Sequence, residues 1–137
     1  MSKHKNTSFW GIDVDIPNDL LDQIENIIEL YPDLHVQKTF HCTLLFVGRK
    51  SDIDESSYFA LENKSANLHI SAIAHSNFGV CLKVDKIIVN ETEIDETQRH
   101  ISVTNKTDKI KGTSISLVCG SIISCNHILT GIVKRHF

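Results

Sequence analysis

Proline and glycine are scarce, at 2 and 6 of 137 residues, which excludes a collagen-like chain and a Pro/Gly-rich disordered one. There is no basic excess either. Fourteen Lys and Arg face 17 Asp and Glu, for a formal net charge of −3 and an isoelectric point near 6.2. A broad basic surface for coating nucleic acid, double-stranded DNA included, is therefore absent, because phosphate neutralisation needs clustered Lys and Arg. Any nucleotide must be held locally, by a few groups in a cleft. No apolar run reaches the roughly 20 residues that a helix needs to cross a bilayer. The longest, Ile115 to Ile123, is broken by Ser116, Gly120 and Ser121. The polar start, Met1 to Thr7, precedes no signal-like apolar segment, so a cytoplasmic protein is expected. Cys42, Cys81, Cys119 and Cys125 are scattered, most of them among apolar residues, and read as buried reduced thiols rather than a disulfide framework. The sequons at Asn6, Asn63, Asn90 and Asn105 arise from a composition rich in Asn, Ser and Thr and are set aside.

What is present suffices for one domain over 1–137, with 41% apolar and 23% charged residues. From Trp10 to Ile16 apolar and polar residues alternate as in a half-buried strand, ended by Pro17. Asn18 or Asp19 can cap a helix whose apolar face is Leu20, Leu21, Ile24, Ile27, Ile28 and Tyr31, stopped by Pro32. Phe40 to Val47 reads as a strand closed by Gly48, and Ser51 to Ser65 as a weaker helical pattern. Leu68–Ala74 and Val80–Val89 predict a hairpin turned by Asn77-Phe78-Gly79. Glu91 to Arg99 reads as a loop and His100 to Thr104 as a strand. Thr113 to Ser124 is ambiguous between helix and strand, and Cys125 to Val133 is a closing strand. The class expected is α+β with antiparallel sheet.

Two triplets carry the chemistry: His41-Cys42-Thr43 and His100-Ile101-Ser102, each His, any residue, hydroxyl, in a strand pattern. In a strand, residues i and i+2 share a face, so each triplet sets an imidazole beside a hydroxyl. Metal-free phosphodiester cleavage needs one group to take a proton and another to give one, and two histidines can divide that task near neutrality. The hydroxyls then donate to the non-bridging oxygens, where charge builds up. With eight histidines such triplets also arise by chance, and a third, His69-Ile70-Ser71, is present. A separation of 59 residues, from 41 to 100, suits two strands on opposite sides of one cleft, so the outer pair are the partners and His69 is a surface histidine.

These residues resemble the paired motifs of the 2H phosphoesterase superfamily. Within it the likeness is to the branch of the myelin 2′,3′-cyclic-nucleotide 3′-phosphodiesterase and the small viral 2′,5′-phosphodiesterase domains of nidoviruses and rotaviruses. The supporting stretches are Phe40 to Thr43 with Phe46, Leu68 to Ile73, Arg99 to Val103, and Leu129-Thr130-Gly131. The resemblance implies a bilobal fold: two antiparallel sheets about a central groove, with flanking helices. It implies His41 and His100 as the acid/base pair, Thr43 and Ser102 as phosphate-oxygen donors, and neither metal nor cofactor. Phe46 matches an active-site aromatic of the myelin enzyme's branch, although simple alternation gives it the Cys42 and Leu44 face. Ser102 stands where threonine is commoner, and the separation is short for the branch.

The resemblance further implies a monomer that cleaves 2′,5′-oligoadenylate, in a host cytoplasm if viral, and so blunts an interferon-induced antiviral ribonuclease pathway. Three alternatives stay open. They are hydrolysis of 2′,3′-cyclic nucleotides, a catalytically silent RNA-binding module, and a zinc site at Cys119, Cys125 and His127, whose spacing lacks close Cys pairs. Lys106, Lys109 and Lys111 could steer phosphates. Which histidine is the base, and whether a hydroxyl or water attacks, are also open.

Overall fold

In a computed structural model that describes residues 7–48, 53–94, 99–104 and 116–137, without the Cys119 side chain, the order of elements is strand-dominated. β1 (Phe9–Val14) leads into α1 (Asn18–Ile28), β2 (Phe40–Phe46), α2 (Ser56–Leu61), β3 (Ser65–Ser76) and β4 (Gly79–Val89). β5 (Thr92–Ile94), β6 (Arg99–Ser102), α3 (Ser116–Cys119) and β7 (Ser121–His136) follow. The strands lie in the order β3-β7-β1-β2-β6-β4-β5, all antiparallel, and β3 also pairs β4. That last pairing joins the two ends of the sheet. Six strands close into a barrel, with β5 appended to β4.

The closed barrel corrects the expectation of an α+β, bilobal fold with two sheets and flanking helices. Alternation locates strands but does not say which edges meet. Here β3 is hydrogen-bonded along both edges, to β4 and β7, and β7 reaches from β3 to β1, so no second sheet separates. Helix is also thin, since α2 and α3 have 6 and 4 residues. Inward positions of the strands, among them Trp10, Ile12, Leu44, Leu68, Leu82 and Ile101, are fully buried or nearly so. Leu20, Ile24 and Ile27 of α1 join them, at the helical spacing the sequence shows.

Smaller differences have local causes. Pro17, not Asn18 or Asp19, is the N-cap of α1, and no side chain caps it; Asp19 sits in the first turn, where a carboxylate suits the helix dipole. The polar 91–99 stretch holds β5, because Asn90 and Glu91, at φ 50° and 69°, form a two-residue turn between Val89 and Thr92. Leu61, Tyr58 and Ile53 lean on the core, and Trp10 donates to Glu55 at 2.8 Å, which ties α2 to β1. Cys42 and Cys81 are buried and in no disulfide, and burial pushes the Cys81 thiol up to about 12; Cys125 is half-buried and likewise in no disulfide. No helix among the described residues is long and apolar enough to cross a membrane.

Candidate functional site

β2 and β6 are neighbours in the barrel, with Cys42 opposite Ile101. Both of these are fully buried, so the flanking residues of each strand face outward. Antiparallel register then sets His41 opposite Ser102 and Thr43 opposite His100. The four residues form a two-by-two grid on the outer wall, each histidine beside a hydroxyl of the other strand, with direct pairs about 4.5–5.5 Å apart between Cβ atoms. Arg99 reaches from β6 to donate to the Thr43 carbonyl at 2.7 Å and laces the two strands together.

A cleft opens on either side of the grid. The first, about 730 Å³, is lined by His41, Asp13, His136, Lys38 and Lys134, together with Thr130 and Gly131. The second has the same volume and holds His100, Arg99, Lys83, Asp85 and Ser71, with apolar Leu117 and Val118 from α3. Burial holds His100 below the usual imidazole range, and the charges of Arg99 and His41 act in the same direction. His75, bonded to the Tyr31 hydroxyl at 2.7 Å, is likewise lowered by burial. In both cases the unfolded chain binds more protons. The stability these groups contribute is complete above about pH 6.5 and is lost as pH falls through their lower folded values. Thermal melting between pH 8 and 5 is expected to show a falling midpoint below about 6.5, and His75→Gln a shallower fall. A midpoint flat across that window would contradict this account.

Several residues of the site were not singled out in the sequence. Asp13, opposite His41 across the β1–β2 pair, accepts from His136 at 2.8 Å. The Phe9 ring stacks on His136 with centroids 4.3 Å apart and lies 4.9 Å from His41, whose ring is 5.8 Å from that of His136. Two periodicities pointed there: Asp13 is a polar outward position of β1, and His136 continues the even-numbered face of β7 beyond Val133. Ser71, from the triplet set aside, lines the second cleft; its Oγ is shielded from water and has no hydrogen-bond partner among the described residues. His69 itself faces outward and pairs with Asn126 at 2.6 Å, lining neither cleft.

Phe46 is corrected from the core-side position that alternation gives. A bulge, with Leu44 skipped between the Gly11–Thr43 and Trp10–Leu45 pairs, turns Phe46 outward opposite Phe9, and it is 65% exposed. Lys106, Lys109 and Lys111 lie outside the described residues, as does the Cys119 side chain of the zinc alternative. No protein-family model matches the sequence, and no curated protein matches it significantly.

Proposed function

We propose that the protein is a phosphodiesterase that works without a metal, using His41 and His100 as an acid/base pair on 2′,5′-oligoadenylate. The observation that carries this reading is the grid itself, in which two histidines 59 residues apart meet on adjacent strands, each beside a hydroxyl. The likeness to 2H phosphoesterases is one of motifs, not of the two-sheet architecture. Burial disfavours the charged form of His100, which suits it to be the base. His41, near the Asp13 carboxylate, is then the acid.

In a 2′,5′ linkage the adjacent 3′-hydroxyl is free. His100 takes its proton as the oxygen attacks phosphorus, the bond to the 5′ oxygen breaks, and His41 supplies the proton to that leaving oxygen. The products are a 2′,3′-cyclic phosphate and a 5′-hydroxyl. Thr43 and Ser102 donate to the non-bridging oxygens. A cleft on each side of the grid favours a substrate with a nucleotide on both sides of the phosphate over a cyclic mononucleotide.

Incubation with 2′,5′- and 3′,5′-linked oligoadenylates and a 2′,3′-cyclic nucleotide, all in EDTA, tests the reading by chromatography of products. Selective loss of the 2′,5′ substrate is expected; turnover of the cyclic substrate alone, or of none, overturns it. Thr43→Val separates function from structure. The substitution keeps the side-chain shape at an outward position of β2, so the melting temperature is expected to change little. A lost hydrogen bond to charge, about 1.5–3 kcal/mol, lowers kcat/KM roughly 10- to 100-fold.

A further inference from the structure

We propose that the outer edge of β7 from Ser121 to Thr130 is a dimer interface, and that its occupant is the same segment of a second copy of this chain. β7 is 16 residues long, yet β1 pairs only its Gly131 to His136 portion. Along Ser121 to Thr130 one edge is bonded to β3, and among the described residues no strand meets the other. Such an edge is a template for pairing, and proteins that stay monomeric guard it with Lys, Glu or Pro. Ser121-Ile-Ile-Ser-Cys-Asn-His-Ile-Leu-Thr130 has no charged residue and no proline. Ile122 and Ile128 are 50% and 66% exposed on it.

The choice of a second copy rests on self-complementarity. Ile122 and Ser124 face the outer wall with the His100 cleft, and Asn126 meets outward His69, so the even-numbered residues share the outer face. An antiparallel pair about a two-fold axis through Cys125 sets Ile122 of one copy opposite Ile128 of the other, and Ser124 opposite Asn126. On the outer face apolar thus meets apolar and polar meets polar, while the inner-face pairs, Ile123 with His127 and Ser121 with Leu129, carry no Asp, Glu, Lys or Arg. An unrelated acidic or basic strand would find no counter-charge on this edge. The interface is isologous and small, so the dimer forms in the micromolar range and replaces the monomer expected above.

Sedimentation velocity of the full chain at rising concentration reads the association. Ile122→Glu and Ile128→Lys each place a charge against an isoleucine and are expected to weaken it at least tenfold. The double variant sets Glu opposite Lys at both ends and restores it. Amide exchange on the unaltered chain adds a readout independent of substitution: protection of 121–130 should rise with concentration. A chain that is monomeric throughout, a dimer untouched by both single variants, a double variant no better than either, or unchanging protection overturns the proposal. Capture of an extended segment from another protein would accompany the first of these outcomes.

Discussion

If the proposed pairing is right, His100→Ala and His41→Ala are each expected to lower kcat/KM for a 2′,5′-linked oligoadenylate by about 10²- to 10⁴-fold, the range that positioned acid/base groups contribute. Both side chains stand on the outer wall, while the residues between and behind them, Cys42 and Ile101, carry the packing. Circular dichroism and melting curves of the variants should therefore stay close to those of the parent, which separates a chemical loss from an unfolding one. The acid limb of the rate profile adds a finer test. With His100 as base and its imidazole held low by burial, activity should persist below the ordinary imidazole value of about 6.5. Cleavage that survives either substitution would remove the paired mechanism, and an acid limb above 6.5 would reassign the base.

Gly131→Ala should be strongly destabilising. An added Cβ would run into the Asp13 carbonyl oxygen and lie 2.7 Å from both Ile12 Cγ2 and Val14 Cγ1. Two of these neighbours are packed core side chains and the third is backbone, so relief requires β1 and β7 to part where Val14 pairs Gly131. Overpacking of this kind costs about 1–3 kcal/mol, and a close backbone clash sits at the upper end. For a domain of this size that corresponds to a drop in melting temperature of roughly 10 °C, measurable by calorimetry. Because Asp13 is one of the displaced groups, its bond to His136 should loosen too, which links the stability loss to the His41 cleft. A midpoint within 2–3 °C of the parent would show that the strands yield more easily than the geometry implies.

Local signals in the sequence were read correctly where a residue's own neighbours decide its state. The period of Leu20, Ile24 and Ile27, the Asn77-Phe78 turn and the alternation around His41 and His100 needed no distant partner. The errors arose where a distant edge decides. Closure of the barrel depends on β3 finding both β4 and β7, which no residue in β3 announces, and so the two-sheet reading failed. For Phe46 the core-side alternative fails, because a single extra residue opposite the Trp10/Gly11 step reverses every later face of β2. At the site, the motif histidines were visible because two similar triplets recur. Asp13 and His136 were not, because alternation marks them only as outward positions and they meet only when β1 and β7 lie side by side.

That pairing of β1 with β7 sets a schedule for the molecule. Phe9 is bonded opposite His136, so strands at opposite ends of the described chain must find each other before the ring is complete. Closing so long a loop is entropically costly and favours slow folding, in the range of other sheet proteins dominated by distant pairings. During synthesis β2 and α2 can cover β1 early, since Trp10 meets Tyr58, Phe59 and Glu55, but the other edge of β1 has no strand until β7 is made. The contacts of His136 with Phe9 and Asp13 form only when β7 joins β1, so their assembly would report completed closure in a refolding experiment.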